Sequence, residues 1–438
     1  MIVSSWIEGA RSRLSHNGLV RDIGVTYAGT VIGSGIGFVI QLYLQKHLGP
    51  EDYGILGLAT AVGTLAGVFT DLGLSDAMIR FAGKYREDQP DTAMSRCAAA
   101  LLARLALIVV VGVVGFLAAD YIATNLYEKP ELRTPLAWVF IGMAGGSLYG
   151  YWTYFIQAYE RFFTRSAVNV TIATARLIAV LILGSSAALS PTSMIIVDAA
   201  VNFTGFLLGL AFSPRGLTRA LHPKRREEIR QGLRELVPYC KYTGLLIVGD
   251  TIFNETDTLM LGYFVTAEEV GTYRVAWTYV MVITFLNIAA GSVLFPKLSR
   301  LSQPGDVGRF LGECTPTLLG MCLLTVPYAA FVYFWLPWFD NRYAAALPLF
   351  YVLYVGLVFD LVAGSLSLAL FSLDRPGILA GVSVLKIVVN ILANLVLISL
   401  YGVLGAAIAT LITRVLGGVI YLVALRRALQ RPVSGSGQ

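Results

Sequence analysis

Apolar residues fall into twelve runs separated by short polar breaks, at 24–45, 54–79, 97–119, 135–157, 166–187, 193–212, 241–263, 271–295, 312–336, 346–371, 378–399 and 404–425. Each run is long enough to cross a bilayer as a helix, which takes about 20 residues. A helix is required there because lipid offers no partner to a backbone N–H or C=O. The breaks carry helix-stopping chemistry: Gly49-Pro50-Glu51-Asp52, Glu128-Lys129-Pro130-Glu131, Asp340-Asn341-Arg342 and Asp374-Arg375-Pro376-Gly377. Pro316, Pro327 and Pro348 fall inside the ninth and tenth runs and are expected to kink them. The pattern predicts an all-α integral membrane protein of about twelve transmembrane helices.

The longest polar stretch, 213–240, is rich in Arg and Lys and separates six runs from six. This predicts an N-terminal segment (1–23), a six-helix lobe (24–212), a linker (213–240), a second six-helix lobe (241–425) and a tail (426–438). In the N-terminal segment Trp6, Ile7, Ala10 and Leu14 share one side of a possible interfacial helix, while Arg11, Arg13 and Arg21 interrupt any signal-peptide core. A shift of 217 residues brings Leu42 and Leu44 onto Leu259 and Leu261, Glu51 onto Glu268, Gly54 onto Gly271 and Ala59 onto Ala276. Six spans per half keep the two copies in the same orientation, a parallel 6+6 repeat.

Charge adds the orientation. With Lys241 and Arg274, near the ends of their runs, counted with the adjoining segments, 24 of the 33 Lys and Arg lie on the side of the N-terminus, five on the other side and four within spans. The positive-inside rule places both termini in the cytoplasm, in a cell membrane. The net charge of +6 then describes a cytoplasmic membrane face and gives no reason to expect nucleic acid. With 56% hydrophobic and 14% charged residues, the chain lacks the polar surface of a soluble protein. The four cysteines fall at cytoplasmic ends or within a span and form no metal-type pair, so neither disulfides nor zinc are expected. In the first run Gly29, Gly33 and Gly37 recur every four residues, a spacing that predicts close helix packing.

Charges inside spans are costly and mark candidate sites. Counting from the ends of each run puts Arg176, Asp250, Asp360, Lys386 and Arg414 near mid-membrane, and Arg104 and Asp71 in the inner half. Asp257 falls in the outer half, with Asp198 and Arg274 near the outer rim. Mutual neutralisation would pair Lys386 and Arg414 with Asp250 and Asp360, and Asp71 with Arg104. Arg176 has no evident acid on the neighbouring spans, which makes it the leading contact for an anionic substrate. Arg274, Lys386, Arg414 and Arg104 are further substrate-binding candidates.

A second constellation comes from spacing. Lys386, Asn390 and Asn394 stand at i, i+4 and i+8 on one helix face, and Ala406, Thr410 and Arg414 repeat that spacing in the next run. Asn390, Asn394, Thr410 and Asp257 share one depth. One carboxylate, two amides and a hydroxyl are hard oxygen ligands suited to Na⁺ or a proton. The same set can equally pack helices through hydrogen bonds.

The run Leu48-Gly49-Pro50-Glu51-Asp52-Tyr53-Gly54, with Asp71-Leu72-Gly73-Leu74 and Arg80-Phe81, resembles the first helical hairpin of the polysaccharide-export flippases. Glu269-Val270-Gly271-Thr272-Tyr273-Arg274-Val275-Ala276, ending in Phe295-Pro296-Lys297-Leu298-Ser299, is similar to their equivalent second-half stretch. These flippases belong to the multidrug/oligosaccharidyl-lipid/polysaccharide exporter (MOP) superfamily. The resemblance implies a V-shaped transporter fold with helices 1, 2, 7 and 8 around a central cavity. It also implies movement of a polyprenyl-diphosphate-linked oligosaccharide from the cytoplasmic to the outer leaflet by alternating access. Asp257, Asn390, Asn394 and Thr410 look like the sodium site of the lipid II flippase branch, with an amide at Asn394 where that pattern has an acid.

The expected activity is that of a non-enzymatic flippase serving cell-surface glycan synthesis. Its partners would be the lipid-linked oligosaccharide, membrane lipids and the glycosyltransferases or polymerase of the same pathway. No cofactor is expected beyond a coupling Na⁺ or proton. Two other classes fit less well. A multidrug cation antiporter of the same fold would not need several midplane cations. A membrane glycosyltransferase or polymerase would need a large outer loop with catalytic acids.

Overall fold

The computed structural model describes residues 2–213, 216–220, 225–299, 301 and 303–430. The apolar face expected of Trp6, Ile7, Ala10 and Leu14 lies outside the described side chains, and the end of the tail, 431–438, outside the described residues. Fifteen α-helices account for nearly all of the described chain: α1 (Ile2–Leu48), α2 (Pro50–Asp71), α3 (Leu74–Tyr85), α4 (Pro90–Tyr121), α5 (Arg133–Ala158), α6 (Phe162–Ser185), α7 (Pro191–Ala211), α8 (Leu217–Ala220), α9 (Arg226–Phe264), α10 (Ala267–Val280), α11 (Val282–Leu298), α12 (Pro304–Phe339), α13 (Ala346–Ser372), α14 (Pro376–Tyr401) and α15 (Val403–Gln430).

Two pairs, α2 with α3 and α10 with α11, each occupy one expected span. Six helical spans therefore precede α8 and six follow it. Among the described residues, nine spans are long and apolar enough to cross a membrane. The other three depart for visible reasons. α5 is rich in Gly, Tyr and Trp, α9 carries Asp250, Asn254, Glu255 and Asp257, and α10 and α11 are interrupted at Met281. The solvent-facing side of α4 is a strip of Val109, Val110, Val113, Val114 and Leu117, the last 74% exposed, a surface suited to lipid rather than water. The protein is a multi-pass membrane protein.

Several boundaries differ from the sequence reading. The second expected span is broken, because Leu72 and Gly73 take φ of 45° and 81°. Asp71 secures this break, accepting from both the N–H and the hydroxyl of Ser75 at 3.0 Å. The expected linker is half helical, since α9 starts at Arg226. Ile229 and Leu236 lie buried in the core with Ala99, while Glu235 pairs with Arg96 at 2.8 Å. An amphipathic stretch with a core to join extends its helix through a polar region. Pro316 and Pro327 lie inside α12, which continues through them. Pro348 lies in the first turn of α13, where a missing N–H costs little, so no kink is needed there. Of the three glycines spaced by four in α1, only Gly29 packs closely: a Cβ there would lie 2.6 Å from Ser166, whereas among the described residues nothing outside the helix lies within 4 Å of a Cβ placed on Gly33 or Gly37.

The chain forms two compact units. One comprises 1–47, 63–123 and 130–248, the other 48–62, 124–129 and 249–438. The core of the first gathers Met78, Ala99, Tyr151, Trp152, Phe155 and Leu236 from α3, α4, α5 and α9. The core of the second gathers Leu294, Leu298, Val307, Leu361 and Leu370 from α11, α12 and α13. Within the second unit the start of α2 crosses the start of α10. A Cβ on Gly54 would lie 1.8 Å from the Ala267 carbonyl, and one on Gly271 would lie 2.0 Å from the Pro50 carbonyl. Ala267 follows Pro50, and Gly271 follows Gly54, by the same 217 residues found in the sequence. The repeat therefore closes on itself as a reciprocal contact that only glycine permits.

Candidate functional site

The second unit brings Asp257, Asn390, Asn394 and Thr410 together. Asp257 comes from α9, the two asparagines from one face of α14, and Thr410 from α15. All are buried, Asn394 completely. The Asp257 carboxylate accepts four hydrogen bonds. Asn394 Nδ2 donates to Oδ1 at 2.7 Å and Asn390 Nδ2 to the same oxygen at 3.3 Å. Tyr273 donates its hydroxyl to Oδ2 at 2.6 Å, and Thr410 donates to Oδ2 as well. Asn394 also donates to Asn390 Oδ1 at 3.1 Å. Among the described residues no Lys or Arg lies within 4 Å of this acid, so its charge is met by neutral donors alone. One acceptor is left over, since the buried Asn394 Oδ1 has no hydrogen-bond partner. A carboxylate, an orphaned amide oxygen and two hydroxyls make a donor set that fits an alkali cation or a proton. Tyr273, from α10, is the member that sequence reasoning missed. The signal available was a phenol in a mostly apolar helix, where a buried O–H needs an acceptor.

One helical turn away on α14 and α15 lie Lys386 and Arg414. Arg414 is 9% exposed and pairs with Asp360 of α13. Its guanidinium also lies 5.8 Å from the ring centroids of Phe253 and Trp277. The Lys386 ammonium sits 4.7 Å over the Phe253 ring. The pairing expected between Lys386 and Asp250 is not formed. Asp250 is on the exposed side of α9 and accepts from Asn254 at 3.2 Å.

The remaining candidates are paired. Arg104 on α4 is 3% exposed, pairs with Asp71, and donates to Ser75 Oγ at 2.9 Å and to the Ser147 carbonyl at 3.1 Å. Arg176 corrects the sequence reading, because it does have an intramembrane acid: its Nε lies 2.9 Å from Asp198 Oδ1, and Asn202 accepts from it at 3.2 Å. The reason is geometric. α6 and α7 form an antiparallel hairpin, and Arg176 and Asp198 lie at similar distances from its turn, so they meet at one depth. Arg274 stands 3.7 Å from Glu255, with its stem over Gly57.

The long apolar helices and this buried carboxylate define a multi-pass, all-helical membrane protein. The sequence matches the family described as polysaccharide biosynthesis protein over residues 19–302, more than half the chain, and the chain belongs to that family. It is similar to the “Probable low-salt glycan biosynthesis flippase Agl15” of Haloferax volcanii, 24% identical over 193 residues that cover 43% of this chain and 41% of that protein. It is also similar to the “Probable flippase AglR” of the same organism, 29% identical over 218 residues that cover 48% of this chain and 46% of that protein. The matched region thus spans less than half the length of either relative. Among solved structures, “Lipid II flippase MurJ, inward closed conformation” aligns with a TM-score of 0.71 at 13% identity, covering 92% of this chain and 87% of that one. At that identity the likeness is one of fold.

Proposed function

We propose that this protein is a flippase that carries a polyprenyl-diphosphate-linked oligosaccharide from the cytoplasmic to the outer leaflet. It acts in the cell membrane with both termini in the cytoplasm, alongside the glycosyltransferases or polymerase that make and use the glycan. The observation that carries this reading is membership of a polysaccharide biosynthesis family, on a fold that aligns almost end to end with a flippase. The names of the two Haloferax relatives agree with it.

The physics is consistent with that cargo. A diphosphate head carries about two negative charges, whose unpaired burial in lipid is prohibitive. Cations within the membrane lower that cost, and Lys386 and Arg414 supply two. Moving two negative charges outward across an inside-negative potential releases about 4–5 kcal/mol at 100 mV. The potential can therefore drive export without nucleotide, and the sequence contains no Gly-x-x-x-x-Gly-Lys-Ser/Thr phosphate loop. The Asp257 cluster is the coupling site for Na⁺ or a proton.

Removal of the gene from its host tests the reading. The expected result is loss of surface glycan, measured by lectin binding, with the lipid-linked precursor accumulating on the cytoplasmic leaflet. Unchanged surface glycan together with new sensitivity to cationic drugs would assign the protein to the multidrug antiporters instead.

A further inference from the structure

A cavity of about 400 Å³ lies inside the second unit, lined by residues of α11, α13, α14 and α15. This is within the roughly 300–1,000 Å³ of small-molecule sites. Its charged lining is Lys386, Arg414 and Asp360, and Asn287, Thr284 and Tyr421 add polar groups. Two glycines make room for the cationic stems. A Cβ on Gly417 would lie 2.9 Å from Lys386 Cδ, and one on Gly356 would lie 3.2 Å from Arg414 Cδ.

The charges in this cavity do not balance. Asp360 is engaged by Arg414. Among the described residues no carboxylate lies within 4 Å of the Lys386 ammonium, and its contact is with the Phe253 ring. Arg414 is nine-tenths buried, yet its Nε has no hydrogen-bond partner. Two bases and one acid leave one positive charge in excess on the cavity wall, with Asp250, on the exposed side of α9, the further acid in electrostatic range of Lys386. The neighbouring layer has the opposite excess: Asp257 is buried among neutral donors. Lys386 precedes Asn390 by four residues and Arg414 follows Thr410 by four, so the layers are about 6 Å apart along the helices. Each excess charge therefore offsets the other, and a cation arriving at Asp257 leaves the cavity's positive charge uncompensated.

We propose that this cavity is a binding site for a phosphate-type oxyanion, held by Lys386 and Arg414, and that a cation on the Asp257 cluster strengthens its binding. Linkage makes the effect reciprocal: the anion tightens the cation by the same factor. In a flippase this gives cargo selection and ion coupling one shared device. The proposal rests on the flippase reading only for the source of the anion, which would be the diphosphate of the lipid-linked cargo.

The test is calorimetry on the purified full-length chain in detergent, with inorganic pyrophosphate as the probe, at fixed pH and ionic strength, in Na⁺ and in choline. The wild type should bind about tenfold more tightly in Na⁺, within the 5–150-fold range of coupled sites. Asp257→Asn removes the opposing charge without any ion, so it should bind tightly in both salts. Lys386→Gln should weaken binding by more than about tenfold, and Lys386→Arg should restore it. Among the described residues Lys386 has no carboxylate within 4 Å, so Lys386→Gln should still fold, which a cooperative melt followed by circular dichroism checks. A short-chain prenyl diphosphate that displaces pyrophosphate at lower concentration would identify the cargo head as the natural anion. Pyrophosphate bound the more tightly of the two would support the oxyanion site and assign it to a free anion.

Tight binding by Asp257→Asn, with no difference between Na⁺ and choline in the wild type, would keep the oxyanion site and remove Na⁺ as its partner. Absence of pyrophosphate binding in both the wild type and Asp257→Asn would overturn the proposal. So would equal binding by folded Lys386→Gln and wild type.

Discussion

The two units treat charge in the membrane differently. In the first, Arg104 pairs with Asp71 and Arg176 with Asp198 inside spans, and Arg96 pairs with Glu235 at the edge of one. The second also has pairs, Arg414 with Asp360 and Arg274 with Glu255, but it adds unmatched charges: Asp257 is held by two amides and two hydroxyls, and Lys386 rests on a ring. A matched pair offsets its own desolvation and ties helices together, as Arg104 ties α4 to the break between α2 and α3. A mismatched charge carries a cost that folding leaves unmet, and that cost is reduced when a ligand of opposite sign arrives. The difference marks the first unit's pairs as framework and the second unit's excess charges as binding groups.

The largest effect that would break this comparison belongs to the framework. Arg104→Ala strands Asp71 beside a buried helix break and should destabilise the protein by about 3–5 kcal/mol. Chemical unfolding in detergent measures it. Arg104→Met with Asp71→Leu should recover most of the loss, because replacing both members of a buried pair is close to neutral. If the double variant were as unstable as the single one, the pair would have a role beyond mutual neutralisation.

The next effect concerns ion binding. Na⁺ at a hundred times its Kd should stabilise the wild type by about 2.7 kcal/mol over choline. Asp257→Asn should abolish that increment, since it deletes the formal negative charge of the cluster. A stability that instead varied with pH in the wild type and not in Asp257→Asn, with no Na⁺ increment, would name the proton as the coupling ion.

The smallest effect sharpens the contrast from the other side. Arg176 and Asp198 neutralise each other inside the span, and replacing both members of such a pair is close to neutral, so removing both charges should change stability little. Arg176→Gln with Asp198→Asn should therefore export glycan at close to the normal rate, scored by surface lectin binding. A folded double variant that failed to export would return Arg176 to the cargo path.

Much of this was legible in the sequence because periodicity constrains a membrane helix tightly. The breaks at Gly49-Pro50 and Asp374-Arg375-Pro376 fall where helices end, and spacing by four placed Asn390 with Asn394 and aligned Thr410 with Arg414. What was not legible depended on contacts between segments. Ile229, Leu233 and Leu236 stand at helical spacing within 213–240, but the dense Arg and Lys around them mask that signal, and the ordering of Arg226–Cys240 comes from packing them into the core with Ala99 of α4. The break at Leu72-Gly73 needed a backbone conformation that composition does not reveal. Counting from the end of its run puts Asp198 toward the rim and leaves Arg176 without an evident partner, whereas the hairpin of α6 and α7 sets their common depth. Tyr273 was read only as part of a family motif, although a buried phenol must donate to something.

The central claim is that the protein moves an anionic lipid-linked glycan and that Asp257 couples the movement. Reconstitution tests it most directly. Purified protein in vesicles carrying a fluorescent polyprenyl-diphosphate oligosaccharide is monitored by the access of an external glycosidase to the label. The account predicts that wild-type vesicles expose the glycan faster than protein-free vesicles, and faster again under a potential that pulls negative charge toward the glycosidase. Asp257→Asn should slow exposure by about tenfold, a barrier change of about 1.4 kcal/mol. Folded wild-type protein that exposed no more glycan than empty vesicles, with or without a potential, would contradict the account.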